Sequence, residues 1–190
     1  MRDIKAKWIA ADWGTTHMRA WAIDEKGEVL AYSESNEGMK DLQQNEFVPV
    51  LLRLIESWLD SEKVTSVMAC GMVGARQGWV ETPYLKTPCV PIDKTQLTVA
   101  STKDPRIQVN LVPGVMQHKP ADIMRGEETQ IAGFIKENPS FDGIVCLPGT
   151  HTKWVNVKAG QIEKFRTFMT GELFGVISKK TLIKHSIESE

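Results

Sequence analysis

The chain has 190 residues, of which 42% are hydrophobic, and its formal net charge is −1 at pH 7. This length and apolar content favour a globular protein with a substantial core. The nearly neutral charge argues against nucleic acid or an anionic membrane as the main partner, and no apolar run approaches the ~20 residues of a membrane-spanning helix.

The chain has three cysteines, Cys70, Cys89 and Cys146, an odd number without the close spacing of a zinc site. They fit reduced thiols better than disulfides, which favours a cytoplasmic protein. Cys70 and Cys146 lie in apolar strand patterns and are expected to be buried.

The first part of the chain predicts three short strands, a helix, and two further strands. The strands are expected at residues 8–13, 17–24, 28–35, 64–70 and 107–112, and the helix at residues 46–60. Asn45 is the expected N-cap of this helix. A glycine-rich loop follows the fourth strand, and a proline-punctuated stretch without assigned structure comes after it.

The second part begins with a helix that starts near residues 125–128 and runs to about residue 137. Three strands and a helix follow, at residues 143–148, 153–158, 161–168 and 171–183. The three strands and the turn after the first of them repeat the opening of the chain.

The repeated turn joins a short apolar strand to the next strand through a Gly-Thr pair. The first copy is Gly14-Thr15-Thr16 after Asp12, and the second is Gly149-Thr150-His151-Thr152-Lys153. Glycine beside hydroxyl residues lets backbone N–H groups approach phosphate oxygens closely. The alternative for each copy is an ordinary turn between two strands.

This layout resembles the actin-like ATPase superfamily of sugar kinases, hexokinases and Hsp70. The resemblance implies an α/β fold, a ribonuclease H-like (actin-like ATPase) mixed-sheet domain that is duplicated, with the second copy incomplete. The expected divisions are an N-terminal domain at residues 1–120, a connecting helix at 121–138 and a partial second domain at 139–190. The elements that would complete the second copy and bind adenosine are expected to be missing, so a truncated form is favoured.

The resemblance also assigns ATP and Mg²⁺ as cofactors. Asp12 would hold Mg²⁺ through water, which suits this cation because it retains waters and prefers oxygen ligands. The phosphate-binding residues implied by the two turns are Gly14, Thr15, Thr16, Gly149, Thr150, His151 and Lys153. For Lys153 the alternative is a solvated side chain, and for His151 an ordinary surface histidine.

A third motif, Met124-Arg125-Gly126-Glu127-Glu128-Thr129-Gln130, opens the helix before the second unit. In related sugar kinases a carboxylate at this place is the general base, which makes Glu128 the first candidate and Glu127 the second. The alternative is that both glutamates complement the dipole of the helix. Arg125, beside the expected base, suggests a carboxylate on the substrate, because a guanidinium is the usual partner of that group.

Several blocks together resemble the 2-dehydro-3-deoxygalactonokinase family. They are Asp12-Trp13-Gly14-Thr15-Thr16, Gly71-Met72-Val73-Gly74 with Gly78-Trp79, the motif at residues 124–130, Pro148-Gly149-Thr150-His151, and Phe165-Arg166-Thr167. The family transfers phosphate from ATP to the 6-hydroxyl of 2-dehydro-3-deoxy-D-galactonate in galactonate catabolism. It implies a sugar-acid site that uses Arg125, Met72, Gly78, Trp79 and Arg166.

Two other functions stay open: an actin-like kinase for a neutral sugar, and a nucleotide-binding module without catalysis. A homodimer is also left open. The presence of Glu128 as well as Asp12 favours catalysis, because a binding module has no need of a carboxylate at the acceptor site.

Overall fold

The computed structural model describes residues 4–185, which form two compact units. The first unit contains the described residues up to Leu85, with Ile92–Val115 and Met124–Gln130. The second contains Lys86–Pro91, Met116–Ile123 and the described residues from Ile131 onward. The predicted divisions at residues 120 and 138 remain a prediction.

The described residues contain twelve strands and three α-helices, numbered here in chain order. The strands are β1 (Trp8–Trp13), β2 (Met18–Ile23), β3 (Val29–Ser35), β4 (Thr65–Cys70), β5 (Tyr84–Lys86), β6 (Thr98–Ala100), β7 (Ile107–Leu111), β8 (Gly114–His118), β9 (Ala121–Met124), β10 (Gly143–Leu147), β11 (Thr152–Lys158) and β12 (Gln161–Phe168). The helices are α1 (Phe47–Ile55), α2 (Glu127–Glu137) and α3 (Thr170–Lys180).

The first unit is built on a six-stranded mixed sheet with the order β3-β2-β1-β4-β7-β6. Strand β2 is antiparallel to both β1 and β3, whereas β4 lies parallel to both β1 and β7. The parallel register pairs Asp12 of β1 with Cys70 of β4, so the carboxyl ends of these two strands lie side by side. The predicted mixed α/β sheet is confirmed.

An aromatic cluster anchors the core of this unit. Alternate residues of β1 are buried, ending at Trp13, which is fully buried. The Trp13 ring lies 5.3 Å from the Phe47 ring and 6.1 Å from the Trp79 ring, and the rings of Phe47 and Trp79 are stacked 5.6 Å apart. Phe47 is the first residue of α1, so the cluster joins this helix to the end of β1.

The second unit repeats the opening of the first. Its antiparallel sheet has the order β10-β11-β12, and α3 follows, as the sequence predicts. The Gln117 side chain is buried against β12, donating hydrogen bonds of 2.8 Å to the carbonyl oxygens of Phe165 and Pro120 and accepting one of 2.8 Å from the Phe165 N–H. In residues 4–185 no further strand follows Phe168, which agrees with an incomplete second copy of the pattern.

Several short strands were not predicted. Strands β5, β6, β8 and β9 are three to five residues long and lie between residues 84 and 124. Strands β5, β8 and β9 form a separate three-stranded sheet of the order β5-β8-β9. Runs this short carry too few alternating side chains to be recognised by period.

Three local predictions were wrong. The predicted helix of residues 46–60 ends at Ile55 and continues only as a 3₁₀ turn, and its N-cap is Glu46 rather than Asn45, without a side-chain capping bond. Cys146 is exposed rather than buried, because it lies on the face of β10 whose residues are open to solvent. Cys70 is partly buried.

No helix in residues 4–185 has the length and apolar character needed to cross a membrane.

The aromatic cluster gives a stability prediction. Replacing Phe47 with alanine should lower the free energy of unfolding by about 3–5 kcal/mol, because a fully buried ring between two tryptophans leaves a cavity. Urea denaturation measures this change. The matched control is Val29→Ala on β3, which is 58% exposed and should change stability by no more than about 0.5 kcal/mol. Equal, small effects at both sites would contradict the role of the cluster.

Candidate active site

The first Gly-Thr turn connects β1 to β2 and is closed by backbone hydrogen bonds. The Gly14 N–H donates to the His17 carbonyl oxygen at 2.9 Å. Thr15 and Thr16 are exposed, and the Thr16 hydroxyl lies 2.7 Å from His17 Nδ1. Among the described residues, the backbone N–H groups of Thr15 and Thr16 have no hydrogen-bond partner. The turn therefore presents two unused donors to solvent.

Asp12 lies at the end of β1, directly before this turn. Its carboxylate is partly exposed and lies 3.8 Å from a guanidinium nitrogen of Arg19, its cross-strand partner on β2. Burial raises the pKa of Asp12, and the charge of Arg19 opposes that shift. Asp12 is therefore a carboxylate with one weak cationic neighbour and oxygen atoms that remain open to a ligand.

Two glycines with positive φ bring the backbone next to Asp12. Gly71 directly follows β4 and has a φ of 93°, and a Cβ there would lie 2.8 Å from the Trp13 carbonyl oxygen and 3.3 Å from Asp12 Oδ1. Gly126, with φ of 109°, precedes α2, and its Cβ would meet the Gly71 Cα at 3.4 Å. Glycine tolerates this conformation without strain. The start of α2 is thus held close to the end of β4.

Glu128, in the first turn of α2, is fully buried. Its two carboxylate oxygens accept hydrogen bonds from the Gly126 N–H at 2.9 and 2.7 Å, and one accepts from the Thr129 hydroxyl at 3.3 Å. Burial raises the pKa of Glu128 to about 7, with a smaller upward contribution from the charge of Glu127, while the hydrogen bonds oppose the shift. A carboxyl group with this pKa exchanges a proton near neutral pH.

Cys70 shows that these groups share one electrostatic environment. Burial raises the pKa of its thiol to about 12, and the charges of Asp12 and Glu128 add to the shift. The thiol therefore stays protonated near neutral pH and is a poor nucleophile. The carboxylates of Asp12 and Glu128 both act on this one position at the end of β4.

The other two residues of the motif have protein partners. Glu127 is partly buried and accepts a 3.1 Å hydrogen bond from the Arg125 N–H. The Arg125 guanidinium donates to the Thr82 hydroxyl and, at 3.1 Å, to the Thr82 carbonyl oxygen, and it lies 4.3 Å from the centre of the Tyr84 ring. Within residues 4–185 its buried Nε has no hydrogen-bond partner.

The glycine-rich loop supplies packing more than open contacts. Trp79, a predicted substrate residue, is 6% exposed, and its ring belongs to the aromatic core. Gly78 is buried, and a Cβ there would collide with the backbone of Val73. Met72 is partly buried against the core. The Trp79 ring therefore has its faces against protein, which argues against stacking on a sugar.

The second Gly-Thr turn lies between β10 and β11. Here the Gly149 N–H donates to the Thr152 hydroxyl at 3.4 Å, and the hydroxyl of Thr152 is paired with that of Thr170. Thr150 and His151 are exposed, and His151 Nε2 lies 2.6 Å from a carboxylate oxygen of Glu172. In the described part of the chain, the backbone N–H groups of Thr150 and His151 are not hydrogen-bonded.

Lys153 does not remain at this turn as a free cation. Its side chain is 6% exposed, and its ammonium group donates hydrogen bonds of 2.7 Å to the Ile123 carbonyl oxygen and the Thr167 hydroxyl. Asp122 lies 4.0 Å away and neutralises its charge. Two of its donors are therefore used inside its own unit, and the neutralisation of phosphate by Lys153 stays a prediction. Arg166, by contrast, is exposed on β12.

No group of three or more His, Cys, Asp or Glu side chains suited to a metal occurs in residues 4–185. A preformed protein cage for a cation is therefore not present in that part of the chain. A single protein carboxylate is enough for Mg²⁺ only where waters and substrate phosphates supply the other ligands.

The fold places the protein in the mixed α/β class. Its candidate site combines a Gly-Thr turn with a buried carboxyl group whose pKa lies near neutral pH. Comparison with known proteins gives the particular family. The family model for 2-keto-3-deoxy-galactonokinase matches residues 12–190, so the chain belongs to that family.

Individual relatives agree with this assignment. The chain is 37% identical over 184 residues to a probable 2-dehydro-3-deoxygalactonokinase of Rhizobium meliloti (strain 1021), and 36% identical over 181 residues to the 2-dehydro-3-deoxygalactonokinase of Escherichia coli (strain K12). A crystal structure of a protein assigned to the same kinase from Sinorhizobium meliloti matches with a TM-score of 0.81 at 36% identity.

These matches cover most of this chain and only part of each relative. They span 95% and 94% of the chain but 59% of each curated relative, and 96% of the chain but 60% of the crystallised one. The chain thus spans about three fifths of the length of the relatives it matches.

The raised pKa of Glu128 predicts a pH-dependent stability. Because the folded-state pKa is about 7 against an ordinary 4.5, the native state binds this proton more tightly than the unfolded state. The resulting stabilisation is complete below about pH 4.5 and is lost as the pH rises through 7. Relative to that of Glu128→Gln, the free energy of unfolding of the wild type should therefore fall by on the order of 1–3 kcal/mol over this range. Urea denaturation at several pH values measures this change.

The matched control for this measurement is Glu127→Gln, which keeps Glu128. It should retain the pH-dependent loss, displaced to slightly lower pH, because the charge of Glu127 contributes to the shift. A constant difference between wild type and Glu128→Gln across the range would contradict the burial of an ionisable carboxyl group at this position.

Proposed function

We propose that the chain belongs to an ATP-dependent kinase that phosphorylates the 6-hydroxyl of 2-keto-3-deoxygalactonate, the sugar acid of the family name. The observation that carries the proposal is the fully buried Glu128, whose pKa of about 7 suits a general base, in the same environment as Asp12. The membership of the family supports the choice of substrate.

Glu128 is the base in this proposal. Its ionised carboxylate takes the proton of the attacking hydroxyl while that oxygen bonds to the γ-phosphorus and the bond to the β–γ bridging oxygen breaks, which leaves ADP. Because burial raises its pKa to about 7, this carboxyl group can take up a proton at neutral pH. Such a base contributes roughly 10²–10⁴-fold, and positioning and charge neutralisation supply the rest of the rate in phosphoryl transfer. Glu127 is the second candidate, and its bond to the Arg125 backbone makes it less free.

Asp12 is the proposed Mg²⁺ residue, acting through water. The partial exposure of its carboxylate and the weak pairing with Arg19 support this role. A bound Mg²⁺ would neutralise charge on the phosphates. Thr15 and Thr16 are proposed to contact phosphate through their free N–H groups. Gly14 shapes the turn that carries them, and Gly149 shapes the second Gly-Thr turn in the other unit.

Thr150 and His151 carry the equivalent free N–H groups of the second turn, and these support phosphate binding there. The His151 imidazole is held by Glu172, so we assign the backbone, not the ring, as its donor. Lys153 is not included in this site.

Arg125 remains the proposed partner of the substrate carboxylate. Only one hydrogen on each of its terminal nitrogens is used by Thr82, and Nε is unpaired among the described residues, so donors remain. Arg166 is exposed and is the second candidate. Met72 and Gly78 would shape this side of the site through the backbone of their loop.

We place the protein in the cytoplasm, acting on small molecules and not on nucleic acid, as its nearly neutral charge supports. A homodimer is the proposed alternative to a monomer, supported by the large exposed apolar side chains of α3 in the second unit.

The test is an ADP-release assay of the kinase to which this chain belongs, with 2-keto-3-deoxygalactonate, galactose and glucose. We expect turnover with the sugar acid only, and a fall of about 10²–10⁴-fold in kcat for Glu128→Gln with little change in KM. Glu127→Gln is the matched control and should retain most of the activity.

Each failure has its own meaning. Equal turnover of galactose and glucose would contradict the carboxylate role of Arg125 and favour a neutral-sugar kinase. Nucleotide binding without turnover of any sugar would favour a non-catalytic module. Unchanged turnover by Glu128→Gln would remove Glu128 as the base.

A further inference from the structure

The two Gly-Thr turns are fastened by the same pair of backbone hydrogen bonds, each within its own unit. In the first unit, the carbonyl oxygens of Gly14 and Thr15 accept from the N–H groups of Met39 and Lys40 at 3.0 and 3.2 Å. Met39 and Lys40 come shortly after β3, the third strand of the unit. We call this pair of bonds the backbone latch.

The second unit has the same latch. The carbonyl oxygens of Gly149 and Thr150 accept from the N–H groups of Gly171 and Glu172 at 3.2 and 3.1 Å. These two donors again follow the third strand of the unit, β12. Two unrelated stretches of sequence thus make the same two bonds to equivalent turn residues.

A glycine at each latch allows the close approach. A Cβ on Gly38 would overlap the backbone of Thr15 and Thr16, and a Cβ on Gly171 would lie 2.6 Å from the Gly149 carbonyl oxygen and 3.0 Å from the Thr150 Cα. The φ of Gly38 is −74°, which any residue adopts, and Gly171 has no positive φ. Glycine is therefore needed at both positions for space and not for backbone conformation.

The latch also decides where the free N–H groups point. In a trans peptide unit the C=O and the following N–H point in opposite directions. The Gly14 and Thr15 carbonyls point towards the segment that supplies the latch donors. The N–H groups of Thr15 and Thr16, which belong to the same two peptide units, must therefore point away from that segment. In the second turn, the same constraint turns out the N–H groups of Thr150 and His151. None of these four N–H groups has a hydrogen-bond partner among residues 4–185.

We propose that Gly38 and Gly171 are positioning residues, which let each latch form and so aim two backbone donors of each turn at phosphate oxygens. The proposal rests on the proposed function, in which both turns bind phosphate. It adds two residues that touch neither nucleotide nor sugar, and it assigns each of them to one turn only.

The test uses the ¹⁵N-labelled chain titrated with inorganic triphosphate and followed by amide chemical shifts. In the wild type, the amides of Thr15, Thr16, Thr150 and His151 should shift. Gly38→Ala should lose the response of the first pair and keep that of the second, and Gly171→Ala should do the reverse. General destabilisation would not separate the two turns in this way.

The controls are Gly175→Ala, one turn further along α3, and Gly133→Ala in α2, where a Cβ meets nothing within 4 Å. Both should keep all four responses. A wild type without any response would overturn phosphate binding by the turns, and with it the proposed function. A wild-type response that survives unchanged in Gly38→Ala and Gly171→Ala, or that falls equally at both turns in each variant, would overturn the glycine assignment alone.

If an alanine variant does not fold, amide hydrogen exchange of the wild type decides. The latch requires slow exchange at Met39, Lys40, Gly171 and Glu172, and the donor assignment requires that triphosphate slow the four turn amides. Fast exchange at the latch amides would overturn the proposal.

Discussion

The site depends on a carboxyl group that is kept out of water. Glu128 is fully buried and is stabilised by the N–H of Gly126 and the hydroxyl of Thr129, and these bonds are too few to offset its desolvation. Its pKa therefore rises into the neutral range, where a small change in surroundings decides whether it is charged. The same burial and the nearby charges keep the Cys70 thiol protonated.

Backbone geometry maintains this arrangement. The parallel pairing of β1 with β4 sets Asp12 opposite Cys70, and the positive φ of Gly71 and Gly126 lets the start of α2 approach that strand end. Arg125 fixes the segment before α2 through Thr82 and Tyr84. A Cβ at Gly71 would lie 2.8 Å from the Trp13 carbonyl oxygen, so the arrangement depends on a position that carries no functional group.

Much of this organisation could be predicted from the sequence. The three opening strands and their repetition at β10–β12 follow from alternating apolar residues and the Gly-Thr turns. The burial of Glu128 could not be predicted, because adjacent glutamates at a helix start are typical of solvent-exposed residues that complement the dipole. The buried position of Lys153 could not be predicted either. Its partners Ile123 and Asp122 lie 30 or more residues away along the chain, in a strand too short to recognise from the sequence.

The glycines show the same limit in another form. Gly38 and Gly171 have ordinary backbone conformations. That a larger residue would not fit at these positions can be seen only in the folded structure, where each lies against a Gly-Thr turn. A glycine shortly after the third strand of both repeats was the one available signal. It has meaning only when the two units are compared.

The central claim is that Glu128 is a buried carboxyl group that titrates near neutral pH. The most direct measurement is a ¹³C NMR titration of the glutamate side-chain carboxyl groups, with Glu128→Gln used to assign the resonance. We predict one glutamate resonance with a midpoint near 7, missing from that variant. A Glu128 resonance with an ordinary midpoint near 4.5 would contradict the account.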